Sequence, residues 1–226
     1  MLSSNSKGEL NTAKTSKEEK SESLIQKLNV KQILPQKFYS RHAEIVAKEL
    51  LGKLLVRSLD NDLLVGKIVE TESYHGTRDP ASRAFGGKKN NINKYMWNKP
   101  GTAFVYMVHG NWMFNVITGK ENEPSGVLLR AIEPLSSVDK MFELRKKVNF
   151  NVNEIRQLCS GPGKLTQAFD ISPKLQEKNM TVQSEIYIAD SDKKVKITKT
   201  YRIGVIKDTK RKQRFYISKN NYVSKF

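Results

Sequence analysis

The chain has 226 residues, with 40 Lys and Arg against 23 Asp and Glu, a formal net charge of +17, and a single cysteine. That length suits one large domain with a substantial core, and the charge points toward polyanions. Cys159 has no internal disulfide partner, which favours a reducing intracellular setting: the nucleus for a eukaryotic source, the cytoplasm for a prokaryotic one. No apolar run approaches the roughly 20 residues of a membrane span, and the N-terminus has no hydrophobic signal core, so no membrane partner is expected. His42, His75 and His109 stand at no zinc-like spacing from Cys159 or a carboxylate, so no metal is expected either.

Residues 1–28 are rich in Ser, Lys, Glu and Asn and cannot repay the entropy of ordering, so they read as a disordered polar tail before a folded domain at 29–226. Apolar residues at helical spacing predict a helix over Arg41–Leu51, stopped by Gly52. Lys53–Leu59 and Leu63–Tyr74 read as strands joined by Asp60-Asn61-Asp62. His75–Pro100, with Gly, Pro, Asn and Lys throughout, predicts an irregular surface loop long enough to be functional. Ala103–His109 and Trp112–Thr118 then form a hairpin with Gly110-Asn111 at its tip, and Gly126–Ile132 is a further strand. A helix is expected from after Pro134 to about Val148 and another near Gly163, with short basic strands from Glu185 onward. The fold class is mixed α/β (α+β): a single domain with a mainly antiparallel curved sheet, hairpins and flanking helices.

Charge is unevenly spread. Residues 1–26 carry four Lys and four Glu, whereas 193–226 hold twelve Lys or Arg against Asp208 alone. The expectation is therefore a polyanion-facing or solvated surface near the C-terminal end. Strand alternation puts Ile68, Glu70, Glu72 and Tyr74 on one side, so two carboxylates lie on a buried-strand pattern and need ion partners or a task. Arg130 is the lone charge of its own apolar strand and requires an acidic partner. From the residues alone, a buried salt bridge accounts for them more readily than catalysis does. Gly161-Pro162-Gly163-Lys164-Leu165 is not a nucleotide-binding P-loop, because Leu158 and Leu165 stand where Gly and Ser or Thr are required. It remains a glycine turn opening a helix, where backbone N–H groups and Lys164 can hold a phosphate oxygen.

Seven elements occur together in order: Leu50-Leu51-Gly52-Lys53-Leu54-Leu55-Val56, Ile68-Val69-Glu70-Thr71-Glu72-Ser73-Tyr74, Asp79-Pro80-Ala81-Ser82, Lys99-Pro100-Gly101-Thr102, Phe104-Val105-Tyr106, Leu128-Leu129-Arg130-Ala131-Ile132-Glu133-Pro134 and Gly161-Pro162-Gly163-Lys164-Leu165. In this set the chain resembles the alkyladenine (3-methyladenine) DNA glycosylase family over roughly residues 34–220. The resemblance implies a monofunctional enzyme, without cofactor and monomeric. It would flip an alkylated or deaminated purine out of duplex DNA, hydrolyse the N-glycosidic bond and so initiate base excision repair. By position, Glu72 corresponds to the family's water-activating base and Arg130 to the residue that orients water and carboxylate; the sequence alone does not separate Glu72 from Glu70. Tyr74 and Tyr106 match the aromatic walls around the flipped base, Ala81 and Arg83 lie beside it, and Asn115 matches the residue that disfavours guanine, after a one-residue gap.

Three positions depart from the family pattern. His109 stands where a Tyr usually wedges into the minor groove, and a smaller ring that can become charged would intercalate differently. Arg83 replaces a His beside the base, where a guanidinium stacks on a neutral base and repels a cationic one. Ile92 replaces a basic loop residue, although Lys88, Lys89 and Lys94 remain to meet DNA phosphates together with Gly163 and Lys164. Two other readings compete: a non-catalytic nucleic-acid-binding protein on the same scaffold, and an RNA-binding module that stacks bases on Tyr201, Phe215, Tyr216 and Tyr222.

Overall fold

Alternating apolar strands joined by tight polar turns build one curled antiparallel sheet with helices against it. The computed structural model describes residues 23, 25, 26, 28, 30–146, 154–191, 194–207 and 210–225. The expected tail falls almost wholly outside them, as does the end of the helix expected to reach Val148. Helices α1 (Gln36–Tyr39) and α2 (Ala43–Glu49) precede a hairpin of β1 (Leu54–Leu59) and β2 (Asp62–Tyr74). A long loop with 3-10 turns at Gly76–Arg78 and Lys94–Trp97 leads to β3 (Ala103–Val108), β4 (Asn111–Thr118) and β5 (Ser125–Pro134). Then follow α3 (Val138–Lys146), α4 (Pro162–Ala168), β6 (Ile186–Ala189), β7 (Ile197–Thr200) and β8 (Arg214–Ile217).

The strands run β3-β4-β5-β2-β1-β6, with β8 pairing both β2 and β7, so eight strands form a single domain of mixed α+β class, as expected. β2 is the hub. Its first half pairs with β1, and its second half, Glu70–Glu72, is held between β5 and β8. Helices α2, α3 and α4 supply Val46, Leu50, Met141 and Leu165 to the main core, which they share with Leu55, Ile68, Leu129 and Phe215 from the sheet.

Strand alternation predicts Ile68 on the side of Glu70, Glu72 and Tyr74, and here the structure differs. The β2–β5 register shifts between Ile68 and Glu70 and again between Glu70 and Thr71. Such a bulge advances the side-chain phase by one residue. Ile68 therefore packs in the main core with Leu129 and Phe215, the cross-strand partners of Thr71. Glu70, Glu72 and Tyr74 turn to the opposite face.

The β3–β4 tip is His109-Gly110, one residue earlier than expected. Val108 pairs with Asn111, and both tip residues have left-handed φ, 46° and 75°. Positive φ at both central positions makes a type I′ hairpin, whose twist matches that of the strands. The first hairpin likewise closes on Leu59 and Asp62, with Asp60 at φ 52°.

Gly66 marks a close approach beneath β2. A β-carbon there would collide with Ile132 Cγ2 and sit 3.2 Å from Phe169 Cζ and from the Glu133 carbonyl. Overpacking of this kind costs about 1–3 kcal/mol. Gly66→Ala is expected to lower stability by that amount in urea unfolding; an unchanged midpoint would show that the core relaxes freely around it.

Candidate active site

The second half of β2 carries four consecutive fully buried polar residues, Glu70 to Ser73. Thr71 donates its hydroxyl to the Ala47 carbonyl of α2 at 2.8 Å, so it belongs to the helix side. Glu70 and Glu72, on the other face, meet arginines from both neighbouring strands. Arg130 of β5 places Nε 3.0 Å from Glu70 Oε1 and Nη1 3.3 Å from Glu72 Oε1. Arg214 of β8 donates Nε to Glu70 Oε1 at 2.7 Å, and Ser224 donates both its backbone N–H and its hydroxyl to Glu70, at 2.7 and 2.9 Å.

Glu70 is thus spoken for by two cations and a serine, which is the environment of a structural ion partner. Glu72 differs. Its Oε1 accepts the Ile203 N–H at 2.8 Å, and its Oε2 accepts the Tyr74 hydroxyl at 2.9 Å. Burial raises the Glu72 pKa above the usual carboxylate range, against the Arg130 charge and the Ile203 and Tyr74 hydrogen bonds, while the Glu70 charge adds to the rise. Burial also pushes the Tyr74 phenol well up, and the Glu72 charge adds to it, so Tyr74 stays protonated as the donor.

Tyr74 connects this carboxylate to a slot. Its ring lines a small cavity together with Ala81, Ser82, Arg83, Met96, Phe104, Tyr106, Asn115 and Gly126. Tyr106 stacks on Phe104 at 5.0 Å and 26°, and the Arg83 guanidinium lies 5.0 Å over the Tyr106 ring. Asn115 is buried, with Nδ2 donating to the Phe104 and Met113 carbonyls at 3.3 Å each. The sequence-predicted residues Tyr74, Ala81, Arg83, Tyr106 and Asn115 are therefore brought together at one place, next to Glu72 and Arg130. A larger cavity of about 680 Å³, lined by His42, His75, Arg78, Lys120 and Arg211 among others, touches none of those sequence-predicted residues. Chemistry is better sought at the small slot, where carboxylate, guanidinium and aromatic rings converge.

Residues 37–221 match the family model of methylpurine-DNA glycosylase. The chain belongs to the methylpurine-DNA glycosylase family. A protein of Clostridium tetani strain E88 named "Putative 3-methyladenine DNA glycosylase" is 42% identical over 200 residues, covering 85% of this chain and 98% of its own. Same-named proteins of Clostridium botulinum are 41% identical over 202 residues in strain Alaska E43 and 38% over 201 in strain Hall, covering 85% and 84% of this chain and 99% and 98% of theirs. The family's reaction makes the chain a hydrolase of N-glycosyl bonds in DNA, and alkylation repair its setting.

Around the slot of this glycosylase, several residues matter that sequence reasoning passed over. Asp79 is fully buried and accepts two hydrogen bonds from Arg202, at 2.7 and 2.9 Å, plus the backbone N–H groups of His75 and Ala81. Arg202 also stacks 4.7 Å from the Tyr74 ring centre, so one ion pair fixes both the loop after β2 and a wall of the slot. Buried Asn93 donates to the Arg83 and Lys88 carbonyls at 2.8 and 3.0 Å, closing the loop on itself. Asp79 had a signal in the sequence, as the first residue of a quoted motif; Asn93 had none.

The C-terminal basic stretch is correspondingly less of a surface than its composition suggests, since Arg202 and Arg214 are buried ion partners. Phe215 is fully buried in the main core and offers no stacking platform, which removes one of the four aromatics from the RNA-binding reading.

The candidate DNA-facing residues lie on the surface near the slot. His109 is exposed at the hairpin tip, and Lys88, Lys89 and Lys94 are exposed on the loop, with Lys89 over Trp97 at 5.0 Å and Lys94 over Tyr95 at 5.1 Å. Gly163 and Lys164 open α4 beside the same hairpin. A β-carbon on Gly163 would press on Asn111 at 2.8 Å, and Gln167 donates to Asn111 Oδ1 at 3.0 Å. Among the described residues, no group of three or more His, Cys, Asp or Glu is arranged to hold a metal ion, and no helix is long and apolar enough to cross a membrane.

Hydrogen bonds from Arg202 and its charge hold the Asp79 pKa below the usual range despite burial, which works the other way. A carboxylate depressed in the folded state adds stability above its ordinary pKa and loses it as pH falls toward the depressed value. Asp79→Asn is expected to cost about 3–5 kcal/mol at pH 7 by leaving a buried guanidinium without its charge partner. In urea titrations at stepped pH, the gap between variant and wild type should narrow below pH 4; a gap that stays constant would rule out an ionic origin.

Proposed function

We propose that the chain is a monofunctional DNA glycosylase that hydrolyses the N-glycosidic bond of an alkylated or deaminated purine flipped from duplex DNA, with Glu72 activating the water. The observation that carries this reading is the position of Glu72. It is fully buried, hydrogen-bonded to Tyr74 on the wall of an aromatic slot, and beside the Arg130 guanidinium. A flat base belongs between Tyr74 and Tyr106, whose faces attract an electron-poor ring. The ionised Glu72 carboxylate stabilises the positive charge that grows on the sugar, an attraction that a dry site strengthens, and it takes the proton of the attacking water, becoming neutral as the new C–O bond forms and the base leaves. Arg130, also bound to Glu70, holds the carboxylate in orientation. Asn115 guards the slot against guanine, and Ala81 and Arg83 border it. His109 enters the space vacated by the flipped nucleotide, while Lys88, Lys89, Lys94, Gly163 and Lys164 meet the phosphates. The folded unit is residues 29–226, acting as a monomer without a cofactor.

A non-catalytic DNA-binding role would leave the raised pKa of Glu72 and its coupling to the slot without purpose. Glu72→Gln is expected to keep its affinity for lesion-bearing duplex and lose about 10²–10⁴-fold in single-turnover base release. Excision at the wild-type rate would sink the mechanism. General base action needs the ionised carboxylate, and burial raises its pKa, so excision of a neutral lesion should fall about tenfold per pH unit on an acid limb whose midpoint lies above the usual carboxylate range. An acid limb missing from wild type and variant alike would point to another base.

Phosphate contacts release counterions, so affinity for undamaged duplex should fall linearly in log–log plots against salt. Lys94→Ala is expected to reduce that slope by about one. A slope unmoved by Lys88, Lys89 and Lys94 substitutions together would place the DNA elsewhere on the surface.

A further inference from the structure

The slot between Tyr74 and Tyr106 is narrow, and the Arg83 guanidinium lies over one of its two walls. Its cavity volume is about 10 Å³, enough for about one water molecule and far below that of a purine. Tyr106 has Phe104 stacked on it at 5.0 Å and the Arg83 guanidinium over it at 5.0 Å, so two groups already pack on its ring. Burial raises the pKa of the Tyr106 phenol, and the nearby Arg83 charge works against that rise.

The rest of the slot is built not to move. Glu72, Phe104 and Asn115 are buried in the sheet, and Tyr74 is held between Glu72 and Arg202. The Arg83 backbone is fixed too, since its carbonyl accepts from buried Asn93. Its side chain is different: exposed, and in no ion pair with a carboxylate among the described residues. A planar cation resting on an aromatic ring occupies the place, and satisfies the ring quadrupole, that a planar base would.

We propose that Arg83 sets which purines the slot accepts: its guanidinium fills the face of Tyr106 in the free enzyme, moves aside for the flipped base, and by its unneutralised charge favours neutral bases over cationic ones. The inference rests on the glycosylase reading above. A neutral base, such as hypoxanthine or ethenoadenine, replaces the guanidinium on Tyr106 and can then be covered by it as a second stacking partner. A base with a formal positive charge, such as 3-methyladenine, must instead enter a slot that already has a cation at its mouth, and two like charges a few ångströms apart repel. Displacing Arg83 costs little in either case, because the head swings into water and the backbone stays on Asn93.

Charge and stacking are separable by substitution. Arg83→Gln removes the charge and keeps a planar, hydrogen-bonding head, whereas Arg83→Lys keeps the charge and loses the planar stack. The measurement is the single-turnover release of hypoxanthine and of 3-methyladenine from otherwise identical duplexes, with the full chain, read as the ratio of the two rates. Arg83→Gln is expected to shift that ratio toward the cationic base by about tenfold, and Arg83→Lys to leave it near the wild-type value. A Gln variant whose ratio stays within about twofold of wild type, or whose two rates fall in equal proportion, would overturn the proposal and leave the glycosylase reading intact. A wild-type chain that releases neither base would instead defeat the glycosylase reading itself, and this inference with it.

Discussion

Two carboxylates and two guanidiniums share the buried face of one sheet: Glu70 and Glu72 from β2, Arg130 from β5, Arg214 from β8. Formally the four charges cancel, which is the condition for burying them at all, because an isolated charge in a dry interior is too costly to keep ionised. Strand pairing enforces the neutrality. β2 is held between the two strands that bring the arginines, so no member can leave without breaking ladder hydrogen bonds. Within the group the environments diverge. Arg130 and Arg214 both lean on Glu70, while Glu72 retains one guanidinium at 3.3 Å, a backbone N–H and a phenol, which leaves burial the larger influence on it. Of the two carboxylates, the less saturated one is therefore poised to take a proton.

That division could not be read from the strand itself. Alternation made Glu70 and Glu72 equivalent, and the residues that separate them, Arg214, Ser224 and Ile203, lie more than 130 positions further along the chain. The acid partner demanded by Arg130 was legible, because a lone charge in an apolar strand has few other solutions. The bulge at Val69 and Glu70 was not, since a one-residue change of phase leaves no mark when residues on both faces are buried. For the same reason Ile68 was assigned to the wrong side. Local signals did better where turn chemistry is strong: both hairpins and the strands around them form nearly as expected, with the second tip displaced by one residue because the type I′ turn takes His109 in the left-handed region. The C-terminal arginines misled in the opposite direction, reading as surface charge while Arg202 and Arg214 serve as internal counter-ions.

The loop after β2 shows how an irregular segment is made as firm as a strand. Asp79 gathers Arg202 and two backbone N–H groups, Asn93 ties the carbonyls of Arg83 and Lys88, and Ala84 and Met96 pack beneath against Phe104 and Ile117. Buried polar groups that are satisfied in this way specify one conformation. Each anchor also touches the slot, since Arg202 backs the Tyr74 ring and Asn93 holds the backbone of Arg83.

Tyr74 then has three attachments at once: its ring is a wall of the slot, its hydroxyl is on Glu72, and its face lies against Arg202. A ligand that pressed on the ring would thereby be coupled to the carboxylate through a single rigid side chain with two torsions. Because Glu72, Asp79, Phe104 and Asn115 are buried within the sheet or its loop anchors, little in the slot can yield to an entering base. The freedom left is in the exposed guanidinium of Arg83 and in the hydrogen bond from Tyr74 to Glu72. On the proposal made above, opening at the first is what would admit the base. Exchange at the second, from phenol to water, is what would turn a satisfied buried carboxylate into one with a proton to take.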